Sequence, residues 1–448
     1  MRFRLATSSV AAIPLLLGAA EPSYYRDVRP ILNRSCTSCH QPALKSSGLD
    51  LTTYVGFQAG GKRGRTFVPG APDESLAVQF IMGAVQPSMP LSGPALSSGD
   101  IDTIRDWVKS GAKDDTPGET RSDEPTVYHQ PPVITALRFS PDGKFLAVSG
   151  NREILLHNAD GSGLAKRLSG DAERILSIAF SLDGRVMAAG GGTPARFGEI
   201  QWWDTREGKL LRTVKVSSDT VFGASLSPDG AKVAVGCVDN TVRAFETATG
   251  KELYKISSHE NWPLATVFGM DSRRLVSVGR DSAAKLIDAN AGQFLENVNQ
   301  LRGELTAVAR HPDKDEIVIG GADRVPYVYL MDRPRNMKVG EEATLVRGLE
   351  RQDGAIFALD WSPDGKRIAV AGAGASVNLY DADTGTLTSS CKGHSAGIYS
   401  VAFSPDGAHL ATAGFDGQVR LYRSADCSLE KAFIPVPLVP VQGNGGAQ

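Results

Sequence analysis

Phe139-Ser140-Pro141-Asp142-Gly143-Lys144-Phe145-Leu146-Ala147-Val148-Ser149-Gly150 is a tight-turn signal followed by a β-rich run that closes on small residues. The pattern returns along the chain. Its aspartates, Asp142, Asp183, Asp229, Asp271, Asp313, Asp364 and Asp406, stand at intervals of 41, 46, 42, 42, 51 and 42 residues. Behind each comes a second turn and then an alternating strand such as Val242-Arg243-Ala244-Phe245 or Val419-Arg420-Leu421-Tyr422. Spacing of this kind predicts repeated four-stranded antiparallel units, seven in number over residues 131–434.

Those residues resemble the WD40 repeats, a resemblance that implies a seven-bladed β-propeller. Only Trp203-Asp204 is a literal Trp-Asp; the equivalent pairs elsewhere are Phe245-Glu246, Ile287-Asp288, Tyr380-Asp381 and Tyr422-Arg423. Gly393-His394 with Thr412, Asp416 and Tyr422 matches the set of residues that staples a blade, and His259, Ser277 and Asp281 form a partial second set. By that resemblance these side chains are structural. The fourth and fifth turns are degenerate (Met270-Asp271-Ser272 and Pro312-Asp313-Lys314), and an insert around Arg333–Leu349 is expected on a loop. The ring is expected to close either with Leu429–Phe433 or by borrowing Thr126–Gln130.

Upstream of the repeats lies Cys36-Thr37-Ser38-Cys39-His40, a C-x-x-C-H string. Two thiols at this spacing can add to the two vinyl groups of one porphyrin edge, and His40 then follows as an iron ligand, so the string reads as the attachment site of one c-type haem. No second pair of ligands follows at the spacing a zinc site needs. Nor is there the βαβ pattern of a thioredoxin-like pair. Met82 and Met89 are the candidates for a sixth ligand. Met82, among Leu76, Phe80 and Ile81, reads as helix core. Met89, in Gln86-Pro87-Ser88-Met89-Pro90, lies in a loop its prolines keep from being helical and is the preferred ligand. Tyr25, Val28, Ile31 and Leu32 predict an amphipathic helix leading into Cys36. Ser97-x-x-Asp100 starts another, with Ile101, Ile104, Trp107 and Val108 on one stripe and Gly111 at its end.

Residues 24–113 resemble the planctomycete-type cytochrome c domain. The matching residues are Asp27-Val28-Arg29-Pro30-Ile31-Leu32, Cys36 to His40, Gly48-Leu49-Asp50-Leu51, Val68-Pro69-Gly70 with Glu74-Ser75, Met89-Pro90, and Ile104 through Trp107-Val108 to Gly111-Ala112. The resemblance implies His40 and Met89 as the axial pair on iron and Cys36 and Cys39 as the covalent anchors. Lys62-Arg63-Gly64-Arg65 reads as a solvated loop, with a haem propionate or an acidic partner as the alternative.

Arg2 and Arg4, the uncharged run Leu5 to Ala20, and the small residues Gly18-Ala19-Ala20 read as an export signal cut after Ala20. This places the protein in the periplasm or otherwise outside the cytoplasm, where haem c is attached. The run is too short and too polar to span a membrane, and no later run is long enough. Residues 21–113 then form the helical domain. The Pro-, Ser- and acid-rich stretch 114–130 reads as a linker, and 435–448 as a disordered tail. Cys237, Cys391 and Cys427 are left over; buried free thiols are preferred over a disulfide between two of them.

The charge balance of 48 Lys and Arg against 50 Asp and Glu argues against nucleic acid as a partner. The fold expected is therefore a small all-α cytochrome c-like domain followed by an all-β propeller. The function expected is one-electron transfer by a single haem c, not catalysis, with a redox partner protein and protein docking through the propeller. A redox enzyme with a second cofactor in the propeller, resembling cytochrome cd1 or a quinoprotein, would need ligands converging on the propeller axis. His157, His259, His311, His394 and His409 are instead scattered among the repeats. A haem-based sensor would need Met89 to leave the iron open.

Overall fold

The computed structural model describes residues 21–41, 46–91, 93–115, 126–300, 302–333 and 343–439. The expected export signal 1–20, most of the expected linker, the centre of the insert and the end of the tail lie outside the described residues. The chain divides into two compact units, 1–120 and 121–448.

The first unit is helical. Ser23 opens it: its hydroxyl accepts from Arg26 N–H at 2.9 Å, while Asp27 accepts from Ser23 N–H at 2.7 Å. One wide turn, Tyr24–Val28, runs straight into helix α1, Arg29–Ser35, with Pro30 in its first turn, where a missing N–H costs nothing. Val28 N–H reaches back five residues to Ser23 O, and this over-wide turn shifts the helical phase by one position. Tyr24 (1% exposed) therefore faces the core in place of the expected Tyr25 (36%), while Val28, Ile31 and Leu32 are buried as expected.

Helices α2 (Tyr54–Ala59), α3 (Leu76–Ile81) and α4 (Ser98–Lys109) complete the unit. Ser97 caps α4 by accepting from Asp100 N–H at 3.1 Å and donating to the Asp100 carboxylate at 2.8 Å. Arg34 of α1 donates to both oxygens of that carboxylate at 3.0 Å. Ile104, Trp107 and Val108 form the buried stripe of α4. Trp107 sits at the centre of an aromatic cluster, with Tyr24, Phe57 and Phe67 rings 5.0–5.9 Å from it.

The second unit is built of antiparallel β-sheets. Among the described residues six follow one another, one of seven strands and five of four. The large sheet takes its strands in chain order from Leu137–Phe139 to Lys209–Ser217. Its 17-residue strand Leu164–Phe180 pairs with Asn151–Asn158 through its first half and with Val186–Thr193 through its second. The first strands of the remaining sheets are Val221–Leu226, Pro263–Phe268, Leu305–Arg310, Ile356–Trp361 and Ile398–Phe403. Each lies against the next, Val221–Leu226 also touches Leu164–Phe180, and Ile398–Phe403 returns to Leu137–Phe139.

The repeated turn has one recurring chemistry. Ser140 donates to Asp142 at 2.7 Å and accepts from Phe145 N–H at 2.9 Å, while Gly143 adopts the left-handed conformation (φ +69°). The same Ser–Asp pair closes the turns at Asp183, Asp229, Asp364 and Asp406. The two degenerate turns are solved locally. Ser272 takes the left-handed place of glycine, and the His311 ring accepts from Asp313 and Lys314 N–H at 3.0 and 2.8 Å.

One open alternative is settled and three expectations are corrected. Leu429–Phe433 is the outer strand of the last sheet, whereas the chain around Thr126–Gln130 is held at Asn151 and Glu153: Tyr128 OH donates to Glu153 and accepts from Asn151 N–H, both at 2.8 Å. The tail continues in order through Val439. Val436 is buried beside Tyr128 and Leu155, and Tyr128 bridges to Leu438, because an apolar Val and Leu follow the prolines. Cys391 and Cys427 form a disulfide, since strand Leu387–Cys391 and the turn holding Cys427 come from neighbouring sheets and bring their Cα atoms to 4.7 Å. Within the insert, Leu345–Gly348 is a strand paired with Tyr327–Leu330, so its described end completes a sheet.

Candidate functional site

The first residues of the C-x-x-C-H string continue the winding of α1. Cys36 N–H bonds Leu32 O at 2.8 Å, and His40 N–H bonds Cys36 O at 3.1 Å. On such a turn, residues three and four apart share a face, so Cys36, Cys39 and His40 line the same wall of one cavity. The Cys36 and Cys39 thiols are free, and burial, with Cys39 adding to it, pushes the Cys36 thiol up to about 11.

His40 is oriented by the backbone. Its Nδ1 lies 3.1 Å from the Ser46 carbonyl. A carbonyl only accepts, so Nδ1 carries the proton and Nε2 presents a lone pair. This is the arrangement by which a metal-ligating histidine is commonly fixed in tautomer and angle.

Met89 lines the same cavity, of about 270 Å³, which Leu32, Leu49, Leu51, Phe57 and Ile104 make predominantly apolar. Its N–H bonds the carbonyl of Phe80 at 3.0 Å, which ties the proline-flanked loop to the end of α3. Met82 does not line the cavity and is not core. It caps the C-terminus of the six-residue α3, whose fully buried side chain is Val78, and is half exposed. The residues present fit a covalently held haem: two thiols and an imidazole of fixed tautomer, a thioether, and predominantly apolar walls.

Lys62 and Arg63 also border the cavity. Lys62, Arg63, Gly64 and Arg65 are exposed, as a solvated loop should be, and Arg63 in addition donates from its guanidinium to Gln86 O at 3.0 Å and lies 5.3 Å over the Phe80 ring. The run of basic letters held no sign of these partners, which lie in helix α3 and in the loop after it.

The histidines of the second unit have identifiable structural partners. His394 pairs with Asp416 through Nδ1 at 3.0 Å and with Thr412 through Nε2 at 2.7 Å; His259 does the same with Asp281 and Ser277 at 2.9 and 2.7 Å. Tyr422 OH donates to Lys392 O at 2.9 Å. His157 Nε2 meets Pro435 O at 2.9 Å, His311 serves its turn, and His409 pairs with Glu430 at the surface.

Comparison with known proteins agrees with both parts. The planctomycete cytochrome C family model matches residues 36–93, which run from Cys36 past Met89. The chain fuses a planctomycete-type cytochrome c segment to WD40 repeats. The WD domain, G-beta repeat model matches 126–158, 208–246 and 385–423, and the WD40 domain model of anaphase-promoting complex subunit 4 matches 343–403. Among curated proteins the chain is similar to autophagy-related protein 16 of Arabidopsis thaliana, 23% identical over 50% of this chain and 43% of that protein. It is also similar to transcription factor unc-37 of Caenorhabditis elegans, 27% identical over 44% of this chain and 31% of that protein. WD repeat-containing protein 1 of Bos taurus is 24% identical over 56% of this chain and 40% of that protein. The matches thus span less than half the length of these relatives. No helix among the described residues is long and apolar enough to cross a membrane.

Proposed function

We propose that this protein is an exported mono-haem c-type cytochrome that passes single electrons, and that its WD40 repeats form a seven-bladed propeller on which a partner protein docks. The observation that carries the reading is the convergence of Cys36, Cys39, His40 and Met89 on one apolar cavity. Bound there, haem c supplies a one-electron ferric/ferrous couple. Cys36 and Cys39 anchor the porphyrin, and His40, with Nδ1–H spent on Ser46 O, offers Nε2 to the iron. Met89 offers its soft thioether and so favours the reduced state. Leu32, Phe57 and Ile104 keep water from the couple and limit the reorganisation that accompanies each transfer.

The export signal at 1–20, the need of haem c attachment for a compartment outside the cytoplasm, and the Cys391–Cys427 disulfide together support a periplasmic location. WD40 repeats serve as interaction surfaces far more often than as catalysts, which supports docking by the second unit. The scattered histidines, each with a structural partner, argue against a second cofactor there.

The test is spectroscopic. Full-length protein exported from cells that mature c-type cytochromes is expected to carry one haem per chain by pyridine haemochrome. Its ferric form should show the weak red charge-transfer band of methionine–iron ligation, and Met89→Ala should abolish that band while leaving the haem attached. Absence of covalent haem overturns the reading; a band unchanged in Met89→Ala removes Met89 as ligand.

A further inference from the structure

We propose that Arg63 is a positioning residue for Met89, holding the loop that presents the thioether; the inference rests on the haem reading above. The hairpin around Arg63 is built for close approach. Gly61 and Gly64 bridge each other, and a Cβ at Gly60 (φ +76°) would collide with the Gly64 carbonyl. This hairpin touches both strips of backbone that orient the axial residues. On one side Lys62 N–H bonds Ser47 O at 2.8 Å, next to the Ser46 carbonyl that fixes His40. On the other, Arg63 donates to Gln86 O at 3.0 Å, three residues before Met89, and its guanidinium covers the ring of Phe80, whose carbonyl takes Met89 N–H.

The loop 86–90 contains two prolines, which cannot donate backbone hydrogen bonds. It therefore depends on few ties. Arg63 contributes one directly, a charge-assisted hydrogen bond to Gln86 O, and reaches the loop a second time through Phe80, whose ring it covers and whose carbonyl takes Met89 N–H. The guanidinium serves the two with different atoms, Nη1 on the carbonyl and Cζ over the ring; the single nitrogen of an ammonium cannot occupy both places.

Arg63→Ala, Arg63→Lys and Met89→Ala are to be made in the full exported chain and compared with wild type. Expected for Arg63→Ala is one haem per chain, a weakened methionine–iron band, and cyanide binding to the ferric form about fivefold faster, the change that loss of one ordinary, solvent-exposed hydrogen bond would produce. Arg63→Lys should behave like Arg63→Ala. Wild-type band and cyanide kinetics in Arg63→Ala overturn the proposal, as does full rescue by Arg63→Lys, which would place the charge itself, facing a propionate, in control. If Arg63→Ala does not accumulate, Phe80→Leu removes the ring beneath the guanidinium and should shift both readouts the same way; unchanged readouts there count against the proposal. A Met89→Ala protein that keeps the band would instead sink the ligand assignment, a failure separable from that of Arg63.

Discussion

An imidazole's two nitrogens need partners in proportion to their burial. Half-buried His40 sets Nδ1 against the Ser46 carbonyl and leaves Nε2 able to ligate, whereas buried His394 spends both nitrogens on Asp416 and Thr412 as a structural staple. Thr412→Val preserves the volume but removes the hydroxyl partner of His394 Nε2, leaving a buried ring nitrogen unpaired. It should lower the stability of the WD40 unit by about 1–3 kcal/mol, measured by denaturant unfolding, with the haem spectrum unchanged. His394 and Thr412 were legible as a staple because their spacing repeats a known pattern. Arg63 was not legible as a clamp, because its partner is a backbone carbonyl, which leaves no letter in the sequence.

At the scale of elements, the predicted helices and strands appear where periodicity is uninterrupted and shift where the backbone inserts an extra residue. The wide turn Tyr24–Val28 moved the apolar face from Tyr25 to Tyr24. Bulges near the starts of the first strands, as between Ile398 and Ser400, likewise break the alternation that marks a strand. The middle strands, such as Arg367–Gly372 and His409–Gly414, do not alternate at all, since neighbouring sheets cover both faces. Helix α4 shows the opposite case, a start readable from Ser97-x-x-Asp100 alone. Ser97→Ala removes a cap worth about 1 kcal/mol and should lower the unfolding free energy of the helical unit by that amount, measured by denaturant unfolding.

At the scale of the whole molecule, two features bind distant parts of the second unit and set its response to conditions. The disulfide links positions 36 apart and joins neighbouring sheets. Replacing both Cys391 and Cys427 by Ser should cost about 4 kcal/mol by the chain-entropy estimate, read as a lower unfolding midpoint under non-reducing conditions. Acid acts through the buried histidines. Burial lowers the affinity of His157 and His394 for a proton, in His394 with Asp416 opposing that shift. An unfolded histidine titrates near ~6.5, so stability is full above that pH. It declines as pH falls from there through the lowered folded values, where the unfolded chain takes up protons that the folded one refuses. The unfolding midpoint should therefore be lower at pH 5 than at pH 7.5, and His394→Gln should reduce the difference.

The sequence by itself determined the two-part organisation, the C-x-x-C-H string, the proline-flanked methionine and the repeat period, because each is a local pattern: a spacing of side chains, a pair of prolines, a recurring turn. Tertiary structure alone decided that Cys391 meets Cys427, that Tyr24 and not Tyr25 enters the core, that Met82 faces outward, and that the chain stays packed to Val439. The disulfide and the packed tail depend on which surfaces meet across long stretches of chain, whereas the places of Tyr24 and Met82 follow from an over-wide turn and a helix end that side-chain periodicity does not display. Residues 36 or 310 positions apart, as Cys391 with Cys427 or Tyr128 with Leu438, are brought together by sheet packing that no local pattern encodes.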